Sequence, residues 1–136
     1  MSRENVEAAQ RAFDAFNRGD IEAVLQELDP KVEWHPEFQT MMLGGEAREF
    51  RGLEGVRTAL REWYGVLAEI HVEIAEVRDL GERIVALGRI RARGKESGAS
   101  VESPAGWVME LKDTKAIRIW EYLDPTEALA AAGLQE

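Results

Sequence analysis

Cysteine is absent from this 136-residue chain, which excludes disulfides, thiolate metal sites and a cysteine nucleophile. A chain without thiols fits a reducing compartment. Histidine is scarce. His35 and His71 stand far apart with no clustered acids at ligand spacing, which makes a poor metal site, and no metal is expected. An excess of basic residues is also missing: 17 Lys plus Arg face 26 Asp plus Glu, a net charge of −9. That balance argues against a nucleic-acid partner, whose phosphates demand a basic face. It argues equally against an anionic membrane surface. No apolar run approaches the roughly 18 residues of a membrane span. Ser2-Arg3-Glu4-Asn5 is polar where a secretory leader would be apolar. A cytoplasmic protein is the expectation. Internal repeats, a G-x-S-x-G elbow and a glycine-rich phosphate loop are missing too. Ser97, Ser100 and Ser103 therefore gain no support as nucleophiles, and no cofactor is expected.

What is present reads as an ordinary globular sequence, 45% hydrophobic and 32% charged. Its length fits one domain, residues 1–136. Val6, Ala9, Phe13 and Phe16 recur at helical spacing, and Asn17-Arg18-Gly19 stops that stripe. Asp20 caps a second, shorter helix carrying Ile21, Val24, Leu25 and Leu28, ended by Asp29-Pro30. A short strand over Val32–His35 stops at Pro36. From Glu37 to Gly52 the periodicity vanishes, and Met41-Met42-Leu43-Gly44-Gly45 reads as a flap or covering loop. A third helix starts near Leu53 with Val56, Leu60, Trp63, Tyr64 and Leu67 on one side.

Beyond it the period changes from 3.6 to 2. Ile70, Val72 and Ile74 alternate with His71 and Glu73, and a phase switch at Ala75 predicts a bulge. Tight turns at Asp79–Glu82, Gly94–Gly98 and Lys112–Lys115 separate strands over Arg83–Arg93, Ser100–Leu111 and Ala116–Leu123. Links this short make antiparallel hairpins. Asp124-Pro125 opens a short terminal helix that Gly133 closes.

With those elements placed, the chain resembles the SnoaL-like branch of the nuclear transport factor 2-like superfamily. The resemblance is carried by Asn5-Val6-Glu7 through Asn17-Arg18-Gly19-Asp20, Asp29-Pro30-Lys31-Val32-Glu33-Trp34, Arg51-Gly52-Leu53-Glu54-Gly55-Val56 and Tyr122-Leu123-Asp124. It implies an α+β fold: a cone-shaped α+β barrel, three N-terminal helices on a strongly curved, mainly antiparallel sheet, with a short C-terminal helix. It also implies a deep concave pocket for a small, largely apolar molecule, and a homodimer through the outer sheet face. Function is not implied so closely, since the superfamily holds isomerases, cyclases, dehydratases and epoxide hydrolases.

Ile117, Ile119, Glu121 and Leu123 share one face of the last strand. A carboxylate among aliphatics must find partners or change its pKa, which makes Glu121 the first candidate acid or base. Glu121-Tyr122-Leu123-Asp124 is similar to limonene epoxide hydrolases, where an acid before Tyr-x-Asp acts on water. Those enzymes also carry an Arg and an Asp two residues apart, where this chain has Arg89-Ile90-Arg91. Arg89 then stands as the electrostatic partner of Glu121, while the second acid is replaced by Arg91. Alternatively, Arg89, Arg91 and Arg93 form a solvated stripe and Glu121 lies at a rim. Resemblance to ketosteroid isomerases at Val32-Glu33 places Trp34 where their base would stand, and an indole cannot abstract a proton.

His35 is a further candidate for catalysis, because histidine as a residue type titrates near neutrality. Alternation points it away from Trp34. Trp34, Phe38, Trp63, Trp107 and Met109 are candidate ligand-contacting walls, or plain core. Trp120 and Tyr122 fall on the face opposite Glu121, where they would anchor a dimer. Three functional classes follow: a cofactor-independent acid–base enzyme for cyclisation, isomerisation or hydration, a noncatalytic binding module, or a dimeric scaffold with a vestigial pocket.

Overall fold

The computed structural model describes residues 2–44, 46 and 48–134. The first helix, α1 (Ser2–Arg18), buries Ala8, Ala9 and Ala15 and packs Val6, Phe13 and Phe16 against the core. Gly19 ends it at φ 73°, backbone that side-chain-bearing residues rarely adopt. Asp20 accepts from Ala23 N at 3.1 Å and starts α2 (Ile21–Gln26).

Two boundaries differ from expectation here. The second helix stops at Gln26, and β1 (Leu28–His35) begins four residues before Val32. Leu28, expected on the helix, pairs instead with Ala116 of the last strand, and the Ala116 amide donates to Glu27 O at 3.0 Å. A partner 88 positions away, 116 − 28 = 88, decides that stretch, and no local periodicity can register it. Pro30 fits because the ladder is irregular between Leu28 and Glu33.

The segment expected as a flap contains a helix, α3 (Glu37–Leu43), followed by a two-residue strand, β2 (Phe50–Arg51). Gly45, the second of its paired glycines, lies outside the described residues. The long helix α4 (Gly52–Val66) buries Val56, Ala59, Leu60 and Trp63, and Tyr64 Oη donates to Phe16 O at 2.7 Å, fastening α4 to the end of α1. Leu67 is the first residue of β3 (Leu67–Asp79), not the last turn of the helix.

The meander follows as expected: β3, β4 (Arg83–Gly94), β5 (Ser100–Lys112) and β6 (Lys115–Tyr122), all neighbours antiparallel. The register slips between Ile74 and Glu76, placing the bulge at Ala75. Asp113 and Thr114, at φ 52° and 62°, form the two-residue turn between β5 and β6. The terminal helix α5 (Pro125–Ala131) is capped by Asp124, which accepts from Thr126 N at 2.9 Å.

The six strands form one mixed sheet in the order β2-β1-β6-β5-β4-β3, with β1 parallel to β6. Strand hydrogen bonds do not close it into a barrel, because β2 and β3 are both edges. Helices α1 and α4 cover the concave face instead. Asn17 ties α1 to β3: its side chain donates to Val72 O and accepts from Val72 N, both at 2.8 Å. Helix α5 packs on the opposite face, over Val85 and Val108. No helix among the described residues is long and apolar enough to cross a membrane.

Candidate functional site

Between α1, α4 and the concave sheet face lies a cavity of about 90 Å³, lined almost entirely by apolar side chains. Helix α3 closes one end. Inward-pointing residues at alternate strand positions line it: Trp34 on β1, Ile70 and Val72 on β3, Ile90 on β4, Trp107 and Met109 on β5, Ile119 and Glu121 on β6. Phe13, Phe16, Leu60 and Trp63 complete the helical wall. All five residues expected as walls line the cavity. Phe38 and Trp63 meet edge to face with centroids 5.9 Å apart, and Trp107 meets Phe13 likewise at 5.1 Å. Trp34 packs on Phe50 at 5.7 Å.

Among the described residues Glu121 is the one titratable side chain on this wall, and it is 9% exposed. Its Oε1 accepts from the Phe38 backbone amide and its Oε2 from Trp107 Nε1, each at 2.8 Å. No cation pairs with it among the described residues. Burial in apolar surroundings pushes its carboxyl up from 4.5 to about 7. The two donated hydrogen bonds pull the other way, and the nearby Glu37 carboxylate adds to the rise. Desolvation wins. Both oxygens already receive an N–H, so the proton of the neutral acid projects from a remaining lone pair and competes with neither bond.

The other two catalytic candidates lie elsewhere. Arg89 is half exposed and binds Glu102 at 2.6 Å on the outward face of the sheet, so the expected Glu121–Arg89 pair is not formed. Arg91 and Arg93 are exposed beside it, making the solvated stripe that was the alternative. Alternation decides this: Ile90 and Ala92 take the inward positions of β4 and leave the arginines outside. Glu121, by contrast, is not at a rim.

His35 also points outward. Its ring stacks on Trp120 at 5.7 Å and 8°, and its Nε2 lies 3.7 Å from Glu33 and 3.4 Å from Glu49. The fold thus brings Glu49 to Glu33 and His35 of β1, with ligand atoms within 4.8 Å of one another. Arg51 grips both oxygens of Glu49 at 3.1 and 3.2 Å, and Arg51 and Arg118 each approach Glu33 at 3.8 Å. The acids are engaged in an ion-pair network. Trp120 and Tyr122 do sit on the outer face, but half buried: His35 covers the first, and both join the cluster under α5.

Sequence reasoning missed one polar residue of the wall. Gln39 in α3 is fully buried and lines the cavity, yet neither its Nε2 nor its Oε1 has a hydrogen-bond partner among the described residues. It fell within a segment that showed no periodicity, so no pattern could place it.

Comparison with known proteins agrees with this architecture. A family model, the SnoaL-like domain, matches residues 9–119. An NTF2-like protein of unknown function from Burkholderia pseudomallei superposes with a TM-score of 0.78 at 27% identity, over 93% of this chain and 95% of that one. An NTF2-like protein from Burkholderia xenovorans gives 0.75 at 27% identity, over 97% of each chain. A polyketide cyclase candidate from Xanthomonas campestris gives 0.74 at 20% identity, over 95% and 96%, a likeness of fold alone. No curated protein matches the sequence.

Proposed function

Since the chain belongs to the SnoaL-like domain family, we propose that its cavity binds a small, largely apolar molecule and that Glu121 exchanges a proton with it, without a cofactor. The observation that supports this most directly is a carboxyl group on a largely apolar wall, held by two N–H donors and brought to about 7 by burial. A group titrating near the working pH serves as base and, after one transfer, as acid. Isomerisation or cyclisation needs that alternation: a proton leaves one carbon or oxygen for the carboxylate, and the resulting acid returns it elsewhere. Phe38 N and Trp107 Nε1 fix both oxygens, so the carboxyl does not have to be oriented during the reaction.

The test uses a ketone with an acidic C–H that fits the cavity, such as 2-tetralone. Protein in D2O should incorporate deuterium beside the carbonyl faster than buffer does, followed by NMR. The rate should rise with pH and level off above about 7 as Glu121 ionises. Glu121→Gln should reduce exchange to the buffer rate while 2-tetralone still raises the melting temperature. Binding with no Glu121-dependent exchange, for this and other acidic ketones, would favour the noncatalytic module. No ligand-induced stabilisation by any small apolar compound would remove the pocket reading itself.

A further inference from the structure

Gln39 is the feature of this cavity that internal packing does not explain. Roughly nine in ten or more of buried polar groups are paired in folded proteins, yet here both polar atoms of one amide are idle. Its neighbours in α3 are all engaged. Glu37 accepts from Leu123 N at 3.3 Å, Phe38 N donates to Glu121 at 2.8 Å, and Thr40 Oγ1 donates to Pro36 O at 3.0 Å and accepts from Arg48 N at 3.1 Å. The helix is therefore fastened without Gln39, and the residue borders a cavity whose remaining lining, among the described residues, is apolar apart from Glu121.

We propose that Gln39 is a ligand-anchoring residue, and that the molecule bound here ends in a planar, neutral group offering a donor and an acceptor side by side, as a lactam does. This rests on the cavity being a ligand site. A primary amide presents one N–H and one carbonyl oxygen on a single edge, and the complementary edge reverses that order. A lactam matches it with two parallel hydrogen bonds. A carboxylate does not: it brings no donor, and no lining residue supplies a cation to balance its charge.

Three bicyclic probes of nearly equal size isolate the anchor: 2-quinolone carries the paired edge, quinoline an acceptor alone, and naphthalene neither. Calorimetric titration of the wild-type protein should show 2-quinolone binding at least about tenfold tighter than quinoline, roughly the effect of satisfying one buried polar group. Gln39→Met, similar in length and apolar, should erase that preference while naphthalene binds as well as before or better. The variant should melt at the wild-type temperature or above it, since it removes an unpaired buried amide. Equal affinity for the two heteroaromatics in the wild type, or a preference that survives Gln39→Met and Gln39→Leu, would overturn the assignment while leaving the pocket reading intact. A drop of several degrees in both variants would also overturn it, because Gln39 would then have an internal partner. Failure of all three probes to bind the wild type would overturn the pocket reading and this one with it.

Discussion

If burial holds the Glu121 carboxyl near 7, the protein must lose stability as that group is forced to ionise. The sign follows from proton binding. Unfolded, the group titrates at its ordinary 4.5; folded, it titrates at about 7. Between those values the folded state binds more protons, so stability falls as pH rises through the window and levels off above it. The full separation, 7 − 4.5 = 2.5 units, corresponds to about 3 kcal/mol at roughly 1.4 kcal/mol per unit. Between pH 5 and pH 8 about 2.5 kcal/mol of that is traversed. Glu121→Gln has no proton to lose, but its amide NH2 must face one of two N–H donors. This mismatch costs about 1–3 kcal/mol at every pH. Urea unfolding of both proteins across pH 5–8 therefore gives a clear expectation: wild type is the more stable at pH 5, and the gap closes by about 2.5 kcal/mol by pH 8. Taking the difference between the two proteins cancels the titration of every other carboxylate they share. A gap that stays constant within error across the range would refute the argument, because Glu121 would then ionise in the fold as it does in the unfolded chain.

Other expectations follow from individual contacts. Trp107→Phe removes the N–H that favours the ionised carboxyl; the Glu121 titration, read from its side-chain carbonyl carbon by NMR, should move above 7. Asn17→Ala leaves Val72 N and O without their partner and should cost about 1–3 kcal/mol in denaturant unfolding. Gly88→Ala drives a Cβ into the Glu73 carbonyl oxygen beside the bulge; the β3–β4 pairing must shift, at a cost of about 3 kcal/mol. Arg89→Ala should leave the Glu121 titration unmoved and change stability by less than about 0.5 kcal/mol, since its partner is an exposed Glu.

Most of the secondary structure was legible in the chain because its signals are local. The apolar spacing of α1 and α4, the Asp20 and Asp124 caps and the alternation of the meander each involve residues within a few positions of one another. The bulge at Ala75 was visible as a phase switch for the same reason. Alternation also placed Glu121, Trp107 and Met109 correctly relative to their strand neighbours. It could not say which face is concave, since period 2 labels two faces without naming either.

The sequence by itself determined an α+β domain with helices before a meander, and a lone acid on an apolar strand face. Tertiary structure decided the rest. Leu28 became a strand residue because Ala116 lay beside it, and Arg89 stayed outside because Ile90 filled the concave position. Glu121 acquired its two N–H donors from residues 83 and 14 positions away. Gln39 lost its access to water when α3 packed beside the cavity, in a stretch whose sequence carries no periodicity. A carboxyl's pKa and an amide's lack of partners depend on what surrounds them in space, and only the folded chain supplies those surroundings.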